Sequence, residues 1–183
     1  MHSQRQEPVT LNRDCDAVRI PSGEEGIIPE GTLVTITQAL GGSFTVYAGG
    51  NLFRIAGKDA DALGKEPLAV PQLPANATDK DVEDLIWAQL ATCYDPEIPV
   101  NIVELGLIYA CDITPLGNNE RRVDIKMTLT APGCGMGDIL ADDVRSKVLL
   151  VPTVVEASVE VVFEPPWSME RMSEAARLQT GMM

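Results

Sequence analysis

A chain of 183 residues with 45% hydrophobic side chains is long enough for one domain or for two small ones, each with its own core. Its 14 Lys and Arg stand against 27 Asp and Glu, and the net charge of −13 argues against nonspecific binding to nucleic acid or to an anionic membrane. No apolar stretch approaches the roughly 20 residues of a spanning helix, the start Met1-His2-Ser3-Gln4-Arg5-Gln6 lacks the apolar core of a signal peptide, and the four cysteines are scattered without a Cys-x-x-Cys pair; a cytoplasmic protein with free thiols is expected.

Residues 1–66 read as a small β-rich unit. Thr32–Thr37, Phe44–Tyr47 and Leu52–Ile55 are short β-prone runs, and Gly41-Gly42 and Gly49-Gly50-Asn51 separate them as the turns of two successive hairpins. Three or more such strands make a small barrel or sandwich. Residues 67–77 contain Pro67, Pro71 and Pro74 and form an extended connector. Residues 1–77 hold six basic and nine acidic side chains and the remainder eight and eighteen, so most of the negative charge belongs to the second part.

Residues 78–183 read as an α+β domain of order αββαβα with its helices on one sheet face. Thr78-x-x-Asp81 is a capping-box signal, after which Val82, Leu85, Ile86, Leu90 and Cys93 follow helical spacing until Pro96 ends the helix. A strand from Leu105 to Ile113 reverses at Pro115–Asn119. Its partner carries Val123, Ile125, Met127 and Leu129 in alternation and ends at Thr130. The period then changes to four at Met136, Leu140, Val144 and Val148, so a helix starts near Gly137 or Asp138. Val155 to Phe163 is a third strand, and Ser168 caps a last short helix that carries Met169, Met172, Ala176 and Leu178 and stops at Gly181.

The best clue to function is Cys134, in the turn Thr130-Ala131-Pro132-Gly133-Cys134-Gly135-Met136-Gly137 between strand and helix. A thiol just ahead of a helix N-terminus meets its partial positive charge and unpaired amides, which stabilise the thiolate, the form that binds metal or attacks. Gly133 and Gly135 leave little side-chain bulk to bury it. Cys93 and Cys111 fall on apolar faces and read as core, and Cys15, between Asp14 and Asp16, has neighbours that raise a thiol pKa. The sole histidine, His2, is at the chain start, so neither a Cys-His pair nor a histidine-containing metal site is expected. Asp95 and Glu97 read either as a helix-ending turn or as helpers of a metal or partner site, since carboxylates accept iron but need a softer partner to hold a cluster. Thr130 either ends a strand or hydrogen-bonds the loop that presents Cys134. Trp167, after Pro165-Pro166, reads as an aromatic clamp over the sheet or as a partner anchor.

Asp95-Pro96-Glu97-Ile98-Pro99-Val100, Glu104-Leu105-Gly106-Leu107-Ile108, Thr130-Ala131-Pro132-Gly133-Cys134 and Pro165-Pro166-Trp167 follow one another in a manner that resembles the SufT/PaaD-like family of iron–sulfur assembly factors, over roughly Thr78 to Arg177. Ile20–Gly23, Ile36–Gly42 and Asp59–Gly64 are similar to the N-terminal region of the longer SufT proteins. Many relatives place proline directly after the motif cysteine, where this chain has Gly135.

The resemblance implies an accessory factor, not an enzyme, in iron–sulfur cluster assembly and in the maturation of iron–sulfur proteins. Cys134 would be a transient ligand of iron or of a cluster, or a client contact, with Asp95, Glu97, Thr130 and Gly133 in support. One cysteine supplies one of the four thiolates a cluster usually takes, so the cargo would be shared between subunits of a homodimer or with apo client proteins and assembly proteins. Two other classes stay open: a metal-free adaptor between assembly machinery and clients, and a thiol or sulfur-transfer enzyme using Cys134.

Overall fold

The computed structural model describes residues 6–67, 69–95, 98–131 and 137–181. The chain divides into two compact units, Met1–Ala69 and Val70–Met183. No helix among the described residues is long and apolar enough to cross a membrane.

The first unit is a six-stranded antiparallel sheet. Its strands are β1 (Glu7–Thr10), β2 (Cys15–Ile20), β3 (Glu25–Ile28), β4 (Leu33–Leu40), β5 (Ser43–Ala48) and β6 (Asn51–Ile55), in the order β1-β4-β5-β6-β2-β3. The three β-prone runs become β4, β5 and β6, joined by the expected glycine turns, where Gly41, Gly42, Gly49 and Gly50 all have positive φ. The first three strands were not anticipated. Their inward positions include the small Cys15 and Ala17, and β1 contains Pro8, so the hydrophobic alternation is faint. Val34, Ile36, Phe44, Val46 and Ile55 form the core with Leu11, Ile28 and Leu63. A 3-10 segment, Gly57–Leu63, closes the unit, tied down by Arg13 on Asp61 (2.7 Å) and Asp59 (3.0 Å).

The second unit has the expected element order: α1 (Asp79–Leu90), β7 (Ile108–Gly117), β8 (Glu120–Met127), α2 (Gly137–Leu149), β9 (Val154–Val161) and α3 (Glu174–Thr180). β8 is central, antiparallel to β7 and parallel to β9, with α2 as the crossover between β8 and β9. The register puts Ile113, Val123 and Ala157 in one row and Cys111, Ile125 and Val159 in the next. These residues share a single core with Val82, Ile86 and Leu90 of α1 and Leu140, Val144 and Val148 of α2. Arg122, Asp124, Lys126, Glu156 and Glu160 alternate onto the opposite face. The helices therefore cover one side of the sheet, as the α+β reading expected.

Several boundaries differ from expectation. α1 ends at Leu90, well before Pro96. Cys93 sits in the turn beyond it, fully buried, because its amide and carbonyl are used locally, by Leu90 O and the Ile102 amide. β7 begins at Ile108, not Leu105. The segment before it is a tight turn in which Asn101 Oδ1 accepts from the amides of Val103 and Glu104, and Leu105 and Leu107 are buried in that turn. The β7–β8 reversal takes only Asn118-Asn119, both at positive φ, and Pro115 stays in β7, an edge strand where a missing amide is tolerated. β8 ends at Met127, short of Thr130. Ser168 caps only a single 3-10 turn, Met169–Arg171, and makes no side-chain cap bond; Ser173 caps the helix by accepting from the Ala176 amide at 3.1 Å.

Candidate functional site

Beyond β8 the chain passes through Thr128 and Leu129, both buried, to Thr130. The Thr128 amide donates to Leu107 O at 2.9 Å, which stitches this segment to the turn ahead of β7. Thr130 Oγ1 then donates to Asp95 Oδ2 at 3.1 Å. Asp95 is 6% exposed, and its Oδ1 accepts the Ile98 amide at 3.0 Å, so a nearly buried carboxylate meets donors on both oxygens. After residue 136, α2 opens at Gly137, where a Cβ would come within 2.8 Å of Leu129 Cδ1. The chain on each side of residues 132–136 is thus anchored, one end by the Asp95–Thr130 bond and the other by a glycine pressed on Leu129. The second end carries the unpaired amides and positive dipole of the α2 N-terminus.

Asp95 and Thr130, predicted separately from the sequence, are brought together. Glu97, Gly133 and Cys134 lie outside the described residues. Cys15, Cys93 and Cys111 belong to packing. Cys15 is buried in the first unit, where burial first and Asp59 second push its thiol up to about 11. The expectation named Asp14 and Asp16 as its perturbers; burial outweighs both. Burial, followed by Asp112, likewise pushes Cys111 up to about 11. Cys93 is fully buried with its thiol against Gln89 O at 3.8 Å. Among the described residues no group of three or more His, Cys, Asp or Glu is placed to hold a metal ion.

Trp167 is half-buried against the core, and its indole N–H donates to Leu105 O at 2.7 Å. Around it residues 165–173, a strap that follows β9, are pinned to the segment 104–109. The Ser173 amide donates to Glu104 O at 2.8 Å, the Ser173 hydroxyl bonds the Glu104 carboxylate, and Tyr109 Oη donates to Pro165 O at 2.7 Å. The Arg171 guanidinium lies 4.5 Å over the Tyr109 ring. Gly106 has φ +73°, and a Cβ there would stand 2.2 Å from Arg171 O, so both backbone conformation and close approach demand glycine. Sequence reasoning missed Gly106, Glu104 and Asn101 as site-supporting residues. A glycine between two buried leucines was the available signal.

Comparison with known proteins places these residues in context. The model of the iron–sulfur cluster assembly protein family matches residues 83–161, within the second unit. That span includes Asp95, Glu97, Thr130, Gly133 and Cys134, and leaves Trp167 just outside. A Porphyromonas gingivalis protein named Fe-S protein maturation auxiliary factor is 45% identical over 101 residues, 55% of this chain and 92% of the relative. The Bacillus subtilis auxiliary factor YitW is 34% identical over 101 residues, 55% of this chain and 95% of its own. The Staphylococcus aureus auxiliary factor SufT is 34% identical over 88 residues, 48% of this chain and 96% of its own. With nearly the whole length of each relative covered at this identity, the chain belongs to the iron–sulfur cluster assembly protein family.

Proposed function

We propose that this protein is an accessory factor in iron–sulfur cluster assembly that helps mature iron–sulfur proteins, with Cys134 as the transient ligand of its cargo or the contact to its client. The bond between Thr130 and Asp95 carries the reading. It joins two segments that are far apart in the chain, each containing a motif of the family, and Thr130 is four positions ahead of Cys134 in sequence. The names of the curated relatives support the same role.

The chemistry follows from the donor set. A thiolate beside a helix N-terminus is stabilised as the anion and is a soft donor that suits iron. The other three thiols are taken up by packing, so one chain offers one such ligand. Cargo is therefore held jointly, with thiolates of a second subunit or of the client, and is released by ligand exchange as the client completes its own set. Assembly proteins and apo clients are the partners, and an acidic surface suits basic patches on them. No proton transfer or covalent turnover is required of the chain.

The test is anaerobic reconstitution with ferrous iron and sulfide, with iron and sulfide measured per chain for wild type and Cys134→Ser, followed by transfer to an apo client. The reading expects cargo bound by wild type, absent from the variant, and client maturation slowed in the variant. Cargo binding that survives Cys134→Ser removes the ligand role. If neither protein binds metal while both bind assembly proteins, the chain is a metal-free adaptor. Turnover of a persulfide or thioester that depends on Cys134 makes it an enzyme.

A further inference from the structure

The turn of residues 101–107 is where the separated motif segments meet. Asn101 Oδ1 closes it by accepting from Val103 (3.1 Å) and Glu104 (3.0 Å), and the Leu107 amide donates to Ile102 O at 3.0 Å. An isolated bridge between Tyr94 and Asn101 ties its start to the Asp95 segment. From the C-terminal side, Trp167 Nε1 holds Leu105 O and the Ser173 amide holds Glu104 O. From the β8 side, the Thr128 amide holds Leu107 O, two residues ahead of the threonine that bonds Asp95.

The Leu105 and Leu107 carbonyls belong to peptides two residues apart, with Gly106 at φ +73° between them. One of them faces the strap and the other the Thr128–Thr130 segment. A shift of the strap that moves Leu105 O is passed along Gly106 and Leu107 to the acceptor of Thr128, Leu107 O. The Thr128 amide, one residue beyond the end of β8 at Met127, donates to Leu107 O at 2.9 Å.

We propose that Trp167 is a positioning residue: by fixing the 101–107 turn, the C-terminal strap sets the geometry of the Asp95–Thr130 pair and so how the loop after Thr130 is presented. The inference rests on the reading of that loop as the functional part of the molecule, but the coupling itself is independent of any cargo. Tyr109 and Arg171 hold the strap from outside the turn. A loosened strap therefore acts on the loop without a change in the turn's own sequence.

The test is a double-mutant cycle, because spatial continuity alone does not establish coupling. Trp167→Phe keeps the aromatic bulk and removes the indole donor, Thr130→Val removes the hydroxyl, and Tyr109→Phe is a milder strap variant that leaves the turn intact. Amide exchange at Thr128 is read by native-state hydrogen exchange in the full chain, and Cys134 alkylation by peptide mapping. Trp167→Phe should speed Thr128 exchange about fivefold, the scale of one net hydrogen bond, with a smaller shift in the same direction for Tyr109→Phe. Its effect on Cys134 alkylation should disappear in the Thr130→Val background. Unchanged Thr128 exchange in both strap variants, or an alkylation effect that simply adds to that of Thr130→Val, overturns the proposal and leaves Trp167 a packing residue. Normal client maturation by Cys134→Ser would instead sink the functional reading while the Thr128 coupling stayed measurable.

Discussion

Thr130 donates a hydrogen bond of 3.1 Å to the carboxylate of Asp95, 35 positions away in the chain. Because Asp95 is nearly buried, loss of that donor costs about 1–3 kcal/mol of stability. Thr130→Val should therefore lower the urea midpoint and slow client maturation by roughly tenfold, the scale seen when a residue that orients a ligand is lost. Thr130→Ser, which keeps the hydroxyl, should recover most of both. Equal activity of Val and Ser at this position would show that the bond has no part in function.

Gly106 and Gly117 separate two costs that a glycine can hide. Both have positive φ, but a Cβ at Gly117 meets open space while one at Gly106 meets Arg171 O at 2.2 Å. Gly117→Ala should cost about 1–2 kcal/mol, the backbone term alone. Gly106→Ala should cost clearly more and release the strap, seen as faster amide exchange at Ser173. Equal melting shifts for the two variants would contradict the close approach.

The thiols should sort themselves by pH. With Cys15 and Cys111 held at about 11, roughly one molecule in a thousand carries either thiolate at pH 8. A short exposure of the native chain to iodoacetamide at pH 8 should label Cys134 at least about tenfold faster than Cys15, Cys93 or Cys111, as read by peptide mapping. The same shifts predict alkaline sensitivity. The folded state keeps these protons more tightly than the unfolded chain, whose thiols titrate near 9.0. Their stabilising contribution is thus complete below pH 9 and falls as pH rises toward 11. Urea midpoints measured across that window should decline, and Cys15→Ala should flatten part of the slope. A midpoint that holds steady from pH 9 to 11 would refute the burial argument.

The capping box of α1 is complete: Thr78 Oγ1 accepts from the Asp81 amide at 3.3 Å, and Asp81 Oδ2 accepts from the Thr78 amide at 2.8 Å. Thr78→Ala should cost about 1 kcal/mol, read as a shift in the thermal midpoint without loss of Cys134 reactivity. A change in that reactivity would tie α1 to the loop by a route other than its cap.

Much of the second unit was readable residue by residue. Thr78 and Asp81 start α1 through bonds within one turn. The spacing of Leu140, Val144 and Val148 and the alternation of Val123, Ile125 and Met127 each describe a stripe that must be buried, and all six are in the core. Leu105 and Leu107 were misread because strand alternation and a pair of leucines buried in a turn look alike over three residues. Asn101, which closes that turn, gives no periodic signal. Ser168 reads as the cap because it precedes apolar residues at helical spacing, and only the extended backbone at Met172 shows that the helix begins later, after Ser173. In the first unit, β1 to β3 were missed because their inward side chains include small residues and gain their burial from strands distant in sequence.

Period, caps and glycine turns act within a few residues, so the element order of the second unit, the buried faces of α1 and α2 and the motifs that mark the family were legible in the chain, whereas Met169 and Leu178, read with the apolar stripe of the last helix, are exposed. That Asp95 meets Thr130, that Gly106 lies against Arg171, and that the strap and the β8 end hold carbonyls of the same turn follow only from the folded chain. These contacts join residues about 20 to 70 positions apart, and a hydrogen bond across such a distance leaves no local pattern; it exists only once the common core has brought its two ends together.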